Sequence, residues 1–163
     1  AIAIALARHA PRASVTATDL SVAALTVARS NAHRNGVNGI TWYHGSVYEA
    51  VREERFDLVV SNPPYISPQE YERLEPNVRE YEPVSALRAD ENGLAILRRL
   101  CEGARTVLRP NGALGVEIGA TQGAAVRRLM QDNGFDEVRV VPDLAGHDRI
   151  VWGQVWTDSS SRN

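Results

Sequence analysis

The chain has 163 residues, 44% of them apolar and 23% charged, with a formal charge of −2. That length and apolar share suit one globular domain with a respectable core. The slightly acidic balance argues against a broad basic surface that grips nucleic acid by neutralising phosphates, and a protein or small-molecule substrate fits better. One cysteine, Cys101, lies on the apolar side of a helical pattern and reads as a core thiol, so no disulfide framework is expected. No apolar run is long enough to cross a bilayer and no basic-then-apolar signal segment is found, which makes the cytoplasm the expected compartment.

In chain order, short apolar strands alternate with amphipathic helices, the pattern of a layered α/β fold with a mostly parallel sheet. The chain opens inside a helix-like stretch, Ala1 to Arg8, as a fragment cut in mid-domain would. Ser14 to Thr18 reads as a strand ending at Asp19. Ser21 suits the N-cap of a helix with Leu25, Ala28 and Ala32 on one face, ended by Gly36. Ile40 to His44 is the next strand, and a short helical turn follows around Val47 to Arg52. His44 has no neighbour at metal-ligand spacing, so no metal is expected. Phe56 to Ser61 is a third strand. From Ser67 to Arg88 the pattern loses its period and Pro68, Pro76 and Pro83 punctuate it, as in a binding lid. Leu94, Leu97, Cys101, Ala104 and Leu108 recur at helical spacing before Pro110 and a turn at Asn111-Gly112. Ala113 to Ile118 is a strand, and Ala124 to Asn133 a helix with Val126, Leu129 and Met130 inward. Val138 to Val141 and Ile150 to Val155 form a final hairpin, its last strand antiparallel to its neighbour. The Ser-rich tail, Thr157 to Asn163, is expected to be disordered.

The stretch richest in chemistry is Asn62-Pro63-Pro64-Tyr65, straight after the third strand. Neither proline has a backbone N–H, so this turn offers acceptors and almost no donors. Asn62 adds a side-chain oxygen. A planar NH2 group carries two hydrogens, and two fixed acceptors would orient it, with Tyr65 as a face to pack on. The pattern suggests a methyltransferase acting on nitrogen. Pro-Pro also ends strands, Asn starts turns, and a following Tyr is often a lid on the core. Position favours function, because open α/β sheets place their ligand crevice at the C-terminal ends of strands. Asp19 ends the second strand of such a fold, where an acid commonly accepts hydrogen bonds from ribose hydroxyls; its competing role is to start the Ser21 helix. Ser46 and the backbone of Val47 end the next strand where an adenine would lie, although Gly-Ser is also an ordinary turn.

These residues resemble the HemK-type protein-glutamine methyltransferases, which modify class-1 peptide chain release factors. The resemblance covers residues 1 to 156. It rests on the Ala1 to Ala7 helix, Thr18-Asp19-Leu20-Ser21, Asn62-Pro63-Pro64-Tyr65, Glu82-Pro83 with Ala86-Leu87, Asp90 to Leu94, and Asp143-Leu144-Ala145-Gly146-His147-Asp148-Arg149. Asn-Pro-Pro-Tyr alone is shared with DNA and RNA amino-methyltransferases.

The resemblance implies a Rossmann-like, S-adenosylmethionine-dependent methyltransferase catalytic domain over residues 1 to 156. Asp19, Leu20, Ser46, Val47 and Asn62 would contact the cofactor. Asn62, Pro63, Pro64 and Tyr65 would form the glutamine pocket. Where the family usually has an acid, this chain has Ser46, which can accept from an amine but without charge assistance. The family's first strand and glycine-rich loop would lie upstream of Ala1, between the strands ending at Asp19 and Ser61. The chain as given is therefore expected to be marginally stable and weak or inactive in binding cofactor. The implied substrate is a release-factor glutamine in a Gly-Gly-Gln motif, with no membrane and no direct nucleic-acid binding. The alternatives are a ribosomal-protein glutamine, an exocyclic amine of a nucleic acid, or an inactive module kept for docking.

Overall fold

The computed structural model describes residues 1–64 and 93–156. Tyr65, the irregular insert from Ser67 to Arg88, the Glu82-Pro83 and Ala86-Leu87 pairs, and the 157–163 tail lie outside the described residues. The chain falls into two compact units, one from Ala1 to Arg52 and one from Glu53 onward.

The first unit runs α1 (Ile2–His9), β1 (Val15–Asp19), α2 (Val22–Arg34) and β2 (Ile40–His44), then a 3-10 turn at Glu49–Val51. Helix α2 begins where the Ser21 hydroxyl accepts from the Ala24 N–H at 3.1 Å, satisfying a donor the helix itself cannot. Leu25 and Ala32 are its buried residues. It stops at Asn35, followed by Gly36 at φ 67, the left-handed conformation a C-terminal glycine adopts at little cost. Strands β1 and β2 pair in parallel with Asp19 opposite His44, so both end on one edge.

The second unit comprises β3 (Phe56–Ser61), α3 (Ala95–Ala104), β4 (Leu108–Glu117), α4 (Gly123–Asp132), β5 (Asp136–Pro142) and β6 (Asp148–Gln154). Its sheet has the order β3-β4-β6-β5. Strand β3 is parallel to β4, whereas β4–β6 and β5–β6 are antiparallel, as expected for a final hairpin. Ala113 to Val116 are buried in succession along β4, as in a strand covered on both faces. Leu97, Cys101, Leu114, Val116, Val126, Met130 and Val151 are fully buried and tie α3 and α4 to the sheet. Burial pushes the Cys101 thiol up to about 12, with the nearby Glu102 adding to the shift and Arg98 opposing it. Among the described residues, β1 and β3 each have a strand neighbour on one side only.

Two expectations need correction. Leu108 does not extend the α3 face; it opens β4 opposite Phe56. The Asn111-Gly112 turn lies inside β4 as a bulge: Phe56 faces Leu108 and Leu58 faces Ala113, with Asn111 at φ 63. Arg109 reaches Asp57 at 2.6 Å beside this irregularity, an exposed pair that contributes about 1 kcal/mol at most. No helix among the described residues is long and apolar enough to cross a membrane.

Candidate functional site

In the first unit, the C-terminal edge of the parallel pair gathers Asp19, Leu20, Ser46 and Val47. The Gly45 N–H donates to the Asp19 carbonyl at 3.1 Å, continuing the ladder past the last strand residues. His44 Nε2 lies 2.9 Å from the Leu20 carbonyl. A carbonyl can only accept, so this ring nitrogen carries the hydrogen and ties the Leu20 turn to the end of β2. Gly45 allows the turn to close: a Cβ there would meet the Ala50 Cβ at 2.8 Å. Strand-end position gave no hint that His44 would have this structural role.

Of the two roles read for Asp19, the structure shows the one at the start of the Ser21 helix. Asp19 Oδ1 accepts from the Ser21 N–H at 2.8 Å, which fixes the turn into α2. The residue is exposed, and Oδ2 has no partner among the described residues. An anionic oxygen held in place by its twin is suited to accept hydrogen bonds from a diol. Val47 has φ 51, a sparsely populated conformation for a β-branched residue. Such strain persists only where its surroundings enforce it and is concentrated at functional positions. The Thr18 hydroxyl lies 3.5 Å from the Val47 carbonyl. The exposed Asp19 carboxylate and a strained backbone at the ends of a parallel strand pair are suited to the ribose and adenine parts of a nucleoside cofactor.

In the second unit, Asn62 to Pro64 leave the C-terminal end of β3, beside Glu117 at the end of parallel β4. Pro63 is buried, Pro64 half-buried and Asn62 exposed. No described residue hydrogen-bonds the Asn62 carboxamide. A buried ring anchors this corner, and among the described residues nothing engages the acceptor beside it. The opposite arrangement, an inward carboxamide satisfied by the core, would have removed the chemical basis for an amine site.

The Asp143 to Arg149 stretch, a polar turn in the sequence, has a definite construction. Asp143 Oδ1 accepts from the N–H groups of Ala145 at 2.9 Å and His147 at 3.0 Å. Its Oδ2 accepts from Arg149 Nη2 at 3.0 Å and Nε at 3.3 Å. The Arg149 side chain and the His147 and Ala145 amides together hold the Asp143 carboxyl below its usual range.

This architecture is the fold of the S-adenosylmethionine-dependent methyltransferases, and S-adenosylmethionine is the cofactor that fold serves. A methyltransferase of Pyrococcus furiosus superposes with a TM-score of 0.70 at 19% identity, over 94% of this chain and 68% of that one. A ribosomal protein L11 methylase of Lactobacillus delbrueckii gives 0.61 at 22% identity, over 94% of this chain and 62% of its own. The family model of the methyltransferase small domain matches residues 1–75. The more specific resemblance also holds along nearly the whole chain. It is 46% identical over 154 residues to the release factor glutamine methyltransferase of Xylella fastidiosa, covering 94% of this chain and 56% of that protein. It is 43% identical to the protein of that name in Enterococcus faecalis, over 93% of this chain and 54% of the relative. The chain thus spans about half the length of these curated relatives.

Proposed function

We propose that the protein transfers a methyl group from S-adenosylmethionine to the side-chain amide nitrogen of a glutamine in a class-1 peptide chain release factor. The observation that carries this reading is the exposed Asn62 carboxamide, which has no hydrogen-bond partner among the described residues, on a buried Pro63 at the end of β3. It is supported by 40–46% identity to proteins named release factor glutamine methyltransferase.

S-adenosylmethionine, when bound, supplies an electrophilic methyl group on its sulfonium. Asp19 Oδ2 would accept from the ribose hydroxyls, and Leu20, Ser46 and Val47 would border the adenosine. An amide nitrogen is a weak nucleophile because its lone pair is delocalised, so the protein must orient and polarise it. Asn62 Oδ1 and the Pro63 carbonyl accept the two amide hydrogens, fix the carboxamide and stabilise positive charge as it develops on nitrogen. The N–methyl bond would form as the sulfur–methyl bond breaks, leaving S-adenosylhomocysteine, and one amide hydrogen would be lost as a proton to solvent. Pro64 would wall the planar group. No covalent enzyme intermediate is needed.

The test is incubation of the full-length protein with labelled S-adenosylmethionine and a release factor containing Gly-Gly-Gln. Label should enter the factor and be abolished when that glutamine is replaced by alanine. Label that persists in the replaced factor, or that enters ribosomal protein or nucleic acid instead, contradicts the reading.

A further inference from the structure

Strand register puts the Asp143–Arg149 loop on the same sheet edge as Asn62. Ser61 faces Val116, which in turn faces Val151, and Glu117 faces Ile150. Because β6 is antiparallel to β4, its first residue, Asp148, lies on the edge where β3 ends. The loop springs from this edge between Pro142 and Asp148, which face each other. Strands β3 and β6 are separated by one strand, hence by about 10 Å, with β5 about 5 Å further. An extended polypeptide rises about 3.3 Å per residue. A chain presenting its carboxamide to Asn62 therefore reaches the loop within about three to five residues.

The loop is pre-organised and its charges are engaged internally. Asp143 accepts two amide hydrogens and the Arg149 guanidinium, its own N–H donates to the His147 carbonyl at 2.8 Å, and Gly146 occupies φ 86. At its base, Asp148 lies against the start of α4. A Cβ on Gly123 would meet the Asp148 carboxyl carbon at 2.9 Å, so the carboxylate occupies the space a side chain would fill. An anion is favourable near that helix end. The tip, Leu144-Ala145-Gly146, is uncharged and exposed, and Leu144 is fully exposed. A braced loop presents this leucine to a partner with little further ordering cost on binding. An apolar tip matches an apolar spot on a protein and has no charge to offer a phosphate backbone.

We infer that the 143–149 loop docks the protein that carries the target glutamine, with Leu144 inserted into an apolar site on that protein next to the acceptor residue. The inference rests on the methyl-transfer reading and identifies a second contact for the same substrate. Pre-organisation makes Leu144 a determinant of protein-substrate binding and leaves the handling of the amide to Asn62.

The test compares Leu144→Ser and Leu144→Met with the unchanged protein on two substrates: an intact class-1 release factor and a capped Gly-Gly-Gln tripeptide too short to reach the loop. Leu144→Ser should raise KM for the release factor about tenfold with kcat unchanged, the order expected for losing one buried leucine contact. Leu144→Met should restore the KM, and tripeptide turnover should be the same in all three. An unchanged KM for the release factor with Leu144→Ser overturns the docking loop and leaves the methyl-transfer reading standing. Equal losses on protein and tripeptide also overturn it, because the defect would then lie at the reacting amide. Failure of the unchanged protein to methylate the release-factor glutamine overturns both readings.

Discussion

Gly123→Ala tests how the β5–β6 loop is anchored to the helix behind it. A Cβ at this position would overlap the Asp148 carboxylate and lie 3.1 Å from Val140 Cγ1. Overpacking of this kind costs about 1–3 kcal/mol, against a helix-propensity gain of at most about 1 kcal/mol at a first-turn position. The net expectation is a loss of about 1–2 kcal/mol, or roughly 2–8 °C in Tm for a chain of this size. Asp148→Ala alone removes the obstructing carboxylate and a favourable charge at the helix start, worth about 0.3–1 kcal/mol. With Asp148 already alanine, Gly123→Ala should become nearly neutral, retaining only the mild Val140 contact. The two substitutions should thus show a coupling of about 1 kcal/mol or more in a double-mutant cycle. Thermal and urea unfolding of the four proteins measure it. An equal loss from Gly123→Ala in both backgrounds would refute the reasoning and assign the glycine requirement to Val140 or the backbone.

Asp19→Asn should separate the two roles of that residue. The amide oxygen still accepts from the Ser21 N–H, so Tm should hold, while cofactor affinity falls about tenfold, consistent with the loss of a charged acceptor; calorimetric titration with S-adenosylmethionine checks this, and unchanged affinity contradicts the ribose role. Cys101, its thiol raised to about 12 by burial, should resist a thiol reagent at pH 8 until the protein unfolds; rapid labelling under native conditions would contradict it. Asp143 should titrate below its ordinary 3.8, because Arg149 and two backbone amides favour its charged form. A depressed native value means that its stabilisation is fully present above pH 3.8 and is lost as pH falls through the lower native value. Carbon-detected NMR titration of that carboxyl reads the midpoint, and a value at or above 3.8 contradicts the loop's hydrogen bonding.

Local signals made much of the fold legible. Ser21 as a cap, Gly36 as a stop and Leu25 with Ala32 on one face define α2 because capping and amphipathic period are encoded within one helix. Strands β2 and β3 emerged with the expected bounds because each is an apolar run closed by turn-forming residues. Leu108 was misassigned because its helical spacing from Ala104 is local, whereas its pairing with Phe56 is decided across the sheet. The Asn111-Gly112 signal correctly marked a departure from regular backbone, but β3 determines that it is a bulge within a strand. At the candidate site, the strand-end position of Asp19 and the donor-poor corner after β3 could be read from the sequence. The link from His44 to Leu20 and the closure of Asp143 on Arg149 could not, since each depends on chain reversals that place the partners within reach.

Steady-state kinetics of Asn62→Ala, paired with a direct measurement of cofactor affinity, bear on the amide grip itself. Removing one acceptor that acts mainly as charge develops should lower kcat for the release-factor glutamine about 10²- to 10³-fold. The Kd for S-adenosylmethionine should remain within about threefold, because uniform binding is not the principal loss. Parallel losses in kcat and cofactor affinity, or an undiminished kcat, would contradict a site in which Asn62 orients and polarises the acceptor nitrogen.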